Sequence, residues 1–106
     1  MKTYELTDWG KKYKVTVEKA TYAENGNLAL KMRGFDKKYG LWEPFATLTV
    51  NLSKKLPANR AYVDTNNCPW AEEFIEENGL GEFCGSFGFS GYCMYPLYEF
   101  DMEVLG

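Results

Sequence analysis

Apolar and polar residues alternate along four stretches of the first half of the chain. Tyr4 and Leu6, then Tyr13, Val15 and Val17, take every second position around a turn at Asp8 to Lys11, the pattern of a β-hairpin. Asn25-Gly26 marks a second turn, because both residues tolerate positive φ. Leu28, Leu30 and Met32 predict a third strand and "FDKKYG" a looser turn. Ala46, Leu48, Val50 and Leu52 predict a fourth strand over 44–52 with one apolar face. Four such strands in succession make an antiparallel meander with one buried side.

The second half changes period. "SKKLPANR" is a polar connection and "AYVDT" a short fifth strand. In "NNCPWAEEFIEENGLG", Trp70, Ala71, Phe74 and Ile75 form an apolar stripe at helical spacing, with Glu72, Glu73, Glu76 and Glu77 on the opposite side. Pro69 suits the first helical position, Asn67 the N-cap and Gly79 a left-handed C-terminus, so a helix is expected near 69–78. "GLGEFCGSFGFSGY" predicts a glycine-rich loop. "YPLYEFDMEVL" predicts a closing strand, Tyr98, Phe100, Met102 and Val104 alternating with Glu99, Asp101 and Glu103. Pro96 and the row of acids place that strand at an edge. The expected fold class is α+β: an antiparallel β-sheet, a meander of about four to six strands, packed with one α-helix in a single domain over 1–106.

Composition sharpens this picture in two ways. The 106 residues contain 3 Trp, 8 Tyr and 7 Phe, a heavy aromatic load that leaves some rings exposed. Net charge is −3, but residues 1–60 carry all 12 Lys and Arg against 6 Asp and Glu, net +6. Residues 61–106 carry 9 acids and no Lys or Arg, net −9. Such asymmetry bears on partners rather than on fold. The apolar runs are short and the N-terminus has no signal-like segment, so no membrane partner and a cytoplasmic location are expected.

The candidate chemistry is thin. The chain has no histidine, the commonest general base and zinc ligand. Cys68, Cys84 and Cys93 are odd in number and never spaced C-x-x-C, which predicts reduced thiols without a metal. Cys68 before the helix has the placement of a reactive thiol but no base beside it, and reads as structural. Gly85, Gly88 and Gly91 match neither a phosphate loop nor a dinucleotide fingerprint. Phe87, Phe89 and Tyr92 have the ring faces that stack on bases, although no cation lies within residues 61–106. No catalytic, cofactor-binding or metal residue is therefore assigned, and no enzyme is expected. Candidate partner-binding residues are Glu72, Glu73, Glu76, Glu77, Phe87, Phe89, Glu99, Asp101 and Glu103. Trp70 is expected to be a core anchor.

Three stretches carry a resemblance: "FATLTVNL", "AYVDTNNCPWAEEFIEENGLG" and "SGYCMYPLYEF". Together they resemble a small domain-of-unknown-function family carried on bacterial phages, plasmids and conjugative elements. The likeness covers about half of the chain and brings no catalytic residue with it. It implies a mobile-element accessory protein, a group that includes inhibitors of host defence such as anti-CRISPR proteins. The expected partner is then a host protein of the CRISPR-type nuclease kind, met through the acidic surface. The alternative is a nucleic-acid-binding accessory using the basic N-terminal meander and the Phe87–Phe89–Tyr92 segment, although direct nucleic-acid binding is the less favoured expectation.

Overall fold

A computed structural model describes residues 2–106. The fold is α+β, dominated by antiparallel strands with two short helices. Strands β1 (Tyr4–Asp8) and β2 (Lys11–Thr21) form the expected hairpin. Its two-residue turn is Trp9-Gly10, both at positive φ (52° and 76°), the geometry that matches strand twist. β3 (Leu28–Asp36) and β4 (Leu41–Thr47) complete a four-stranded sheet in the order β1-β2-β3-β4. At the second turn only Gly26 adopts positive φ.

The predicted fourth strand is two strands in two sheets. β4 ends at Thr47, and β5 (Thr49–Val50) begins a second sheet of order β5-β6-β8-β7, with β6 (Arg60–Val63), β7 (Gly81–Ser90) and β8 (Cys93–Phe100). The apolar alternation continues unbroken because both sheets bury these positions. Ala46 and Leu48 pack in the main core, whereas Val50 and Leu52 pack against a second cluster of Leu56, Tyr62, Tyr95 and Leu97. Among the described residues the result is eight strands in two sheets rather than one meander of four to six.

Three further expectations are corrected. "GEFCGSFGFS" is strand β7, not loop: its glycines, which read as turn signals, sit within a strand that carries an irregularity between Phe83 and Phe87, where Gly85 takes φ 81°. The final strand stops at Phe100, and Asp101 turns the chain into α2 (Met102–Leu105). β8 also lies inside its sheet, between β6 and β7. Pro96 is tolerated there because it faces the irregular part of β7 and lies beyond the β6 ladder, which ends at Tyr62 opposite Leu97.

The main core joins both sheets to α1 (Ala71–Glu77) through Val15, Leu30, Met32, Leu48, Val63, Phe74, Ile75, Leu80, Tyr98 and Phe100. On β4 an extra residue, Phe45, interrupts the register opposite Met32 and Arg33. Its ring lies 5.1 Å from Tyr13 and 5.9 Å from Trp70. Trp70 is half-buried, an edge of the core rather than its centre.

Gly88 is the tightest approach between strands in the second cluster. A Cβ there would lie 2.6 Å from the Tyr62 ring and from Leu52. Gly88→Ala is therefore expected to destabilise the fold by about 1–3 kcal/mol through overpacking, read as a lower denaturation midpoint at unchanged slope.

Candidate protein-docking surface

The acidic helix is set up by the residues before it. The Asp64 carboxylate accepts the Asn67 backbone N–H at 3.3 Å and its side-chain amide at 2.8 Å, and the Cys68 N–H donates to the Asp64 carbonyl. Asn67 is thus tied back to Asp64 and does not cap α1. The helix begins two residues after Pro69, behind a turn closed by the Ala71 N–H on the Cys68 carbonyl. At the other end Gly79 has φ 63°; its N–H donates to Glu76 and that of Leu80 to Ile75, a complete Schellman closure. Cys68 is buried beside the Thr47 carbonyl, and burial, then Asp64 and Asp8, push its thiol up to about 11. That is the opposite of an activated nucleophile.

The four glutamates of α1 divide into two unlike pairs. Glu72 and Glu76 both accept from the fully buried Tyr98 hydroxyl, at 2.8 and 3.3 Å. Burial and then Glu72 hold the Tyr98 phenol well above its ordinary value, so it remains a neutral donor. Glu73 and Glu77 are exposed and lie along a shallow groove with Glu5 and Trp70. A hydrogen bond to Glu73 raises the Glu77 carboxyl.

Glu99, Asp101 and Glu103 do not form a row on one strand. Glu99 is exposed on β8 and pairs with Arg60 at 3.4 Å. Asp101 caps α2, accepting the N–H groups of Glu103 and Val104, and Glu103 sits on that helix. Folding nonetheless gathers some of the predicted acids. Glu76, Glu99 and Asp101 line one groove of about 650 Å³ with Glu82, Asn59 and Phe83. Among the described residues no His, Cys, Asp or Glu cluster has metal-holding geometry.

One wall of this groove continues into apolar surface. Residues opposed across an antiparallel pair share a face. Phe83 opposes Tyr98, Phe87 opposes Pro96 and Phe89 opposes Met94, so these rings extend the helix-covered side of the sheet outwards. Phe83 lies 5.8 Å from the Tyr98 ring and 5.3 Å from Phe87. Phe83 and Phe87 are 43% exposed, Met94 50% and Phe89 71%. Such a contiguous patch is unusual on an unpartnered surface. Glu82, Phe83 and Met94 escaped the sequence reading because the glycines around them read as a loop, so the pairing of β7 with β8 that puts these residues beside Phe87 and Phe89 could not be read from spacing.

The family model described as Domain of unknown function (DUF4313) matches residues 16–105. The chain belongs to this family. The DUF4313 match begins within β2 and ends in α2, so it includes the whole acidic groove and the phenylalanine stripe. No curated protein and no solved structure matches this DUF4313 chain significantly.

The Tyr98 hydroxyl gives a direct test of the geometry. A phenol raised by folding contributes stability present in full below the unfolded value near 10 and lost as pH rises through the folded one. Tyr98→Phe is expected to lower stability by about 1–2 kcal/mol at neutral pH, since Glu72 and Glu76 can be rehydrated. It should also shrink the alkaline loss of melting temperature, leaving the share due to Cys68, Tyr4 and Tyr95. Melting curves from neutral to strongly alkaline pH check both.

Proposed function

We propose that this protein is a non-enzymatic accessory protein of bacterial mobile genetic elements that inhibits a host defence nuclease, in the manner of anti-CRISPR proteins. It acts in the cytoplasm by occupying a basic, nucleic-acid-binding surface of that nuclease. The observation that supports this reading is the convergence of acids from four places in the chain, Glu76, Glu82, Glu99 and Asp101, on one groove beside an exposed phenylalanine stripe. Acidic groups steer a basic partner and exclude nucleic acid from it, while aromatic side chains supply the apolar centre that strong interfaces use. The non-enzymatic part rests on the absence of histidine and on Cys68 being a buried, protonated thiol.

A second reading draws on the other sheet. Lys12, Lys14, Lys31 and Arg33 share the outer face of β2 and β3 with Phe35 and Trp42, whose rings are 5.2 Å apart, and Lys14 lies over Phe35 at 5.7 Å. Cations beside open rings suit single-stranded nucleic acid. Glu18 draws Arg33 into an ion pair at 3.5 Å and Glu5 opposes Lys14, which weakens the field of this face. Phe87 and Phe89 stand on the second sheet, so they do not complete it.

The test is capture of a basic bacterial nuclease from lysate, with and without prior nucleic-acid digestion, followed by association kinetics on the purified pair. Glu76→Gln, Glu82→Gln and Glu99→Gln together should slow association about tenfold at low salt and flatten its salt dependence, with little change in melting temperature. The captured nuclease should lose cleavage activity when the parent protein is bound. Association unaltered at both salt levels defeats the acidic-interface reading, and recovery of nucleic acid alone supports the second one.

A further inference from the structure

The phenylalanine stripe lacks a cover within its own chain, and charge decides what can cover it. Two copies of the stripe cannot meet face to face cheaply. Glu76, Glu82, Glu99 and Asp101 adjoin Phe83, and the cation paired with these acids, Arg60, is already engaged by Glu99, so little offsets a second set of acids. The complementary surface lies at the far end of the first sheet. The β3–β4 turn presents Lys37, Lys38, Tyr39 and Leu41, all exposed, Tyr39 by 64% and Leu41 by 58%. This turn is held in shape: Asp36 accepts the Lys38 N–H through its carboxylate and the Gly40 N–H through its carbonyl, both at 2.8 Å, and Gly40 sits at φ 65°. Lys38 lies 5.2 Å from the centre of the Tyr39 ring, so cation and aromatic are presented together.

We propose that the β3–β4 turn of one copy docks on the Phe83–Phe87–Phe89 stripe and acidic groove of a second copy. Tyr39 and Leu41 cover the phenylalanines, and Lys37 and Lys38 face the groove carboxylates. The contact joins two different surfaces, so it is heterologous and propagates unless it closes into a ring. It rests on the same receiving surface as the reading above, which makes self-association and partner docking competitors for one site.

Sedimentation of the pure protein across a concentration series, at low and high salt, tests this. Mass should rise with concentration at low salt and fall back at high salt. Phe89→Ser and the double variant K37E/K38E should each weaken self-association about tenfold or more while melting as the parent does. Mixed together, they should recover a pair and nothing larger, because one supplies an intact turn and the other an intact stripe. A parent that stays monomeric throughout overturns the proposal, as does a K37E/K38E protein that assembles like the parent or a mixture that recovers no pair. A monomeric parent that still captures a basic nuclease leaves the partner reading standing. A self-associating parent that captures none does the reverse.

Discussion

Leu48 is where the two sheets become one protein. Its N–H donates to the Leu30 carbonyl in the first sheet, its carbonyl accepts from Asp64 beyond β6, and its side chain is fully buried between them. Next to it the Thr49 hydroxyl accepts the Leu30 N–H at 3.2 Å and pairs with the Tyr22 hydroxyl at 2.9 Å. Two consecutive buried residues break the in–out rule of a single strand. The chain accepts this because the polar groups of the two residues find partners in Leu30, Asp64 and Tyr22, and a buried backbone group left without a partner would be costly.

The candidate site depends on that junction. Asp64, held by Leu48, organises the turn through Asn67 and Cys68 that starts α1. α1 then lies over β8, with Glu72 and Glu76 clamped to Tyr98. Because the helix covers only part of this face, the Phe87–Phe89 end of β7 continues past it into solvent. The groove forms where helix, β7 and β8 meet. Its carboxylates are therefore positioned by packed elements rather than by a flexible tail, which favours recognition by a fixed partner surface.

The separation of charge has a physical consequence beyond any one contact. All cations but Arg60 on β6 occupy the first sheet and the connections around it. Among the described residues, of the nine acids of residues 61–106 Glu99 alone pairs with a cation, Arg60. Under the proposed reading, such a charge distribution would orient encounters with a basic partner before contact, an effect that salt weakens.

Much of this was legible in the residues. Local signals determined the first hairpin, the α1 stripe of Ala71, Phe74 and Ile75, and the Gly79 closure, because each depends on neighbours within a few positions. Charge segregation was equally readable, being composition alone. Tertiary structure decided the rest. The split at Leu48 was invisible because both sheets bury the same phase of the alternation. β7 read as loop because its glycines serve a strand irregularity and the close approach of Tyr62 to Gly88. Glu72 and Glu76 read as a wet face because the hydroxyl that binds them comes from Tyr98, more than twenty residues along the chain. The acidic groove needed Glu76, Glu82, Glu99 and Asp101 brought together from separate elements, and sequence spacing holds no trace of distances that only packing sets.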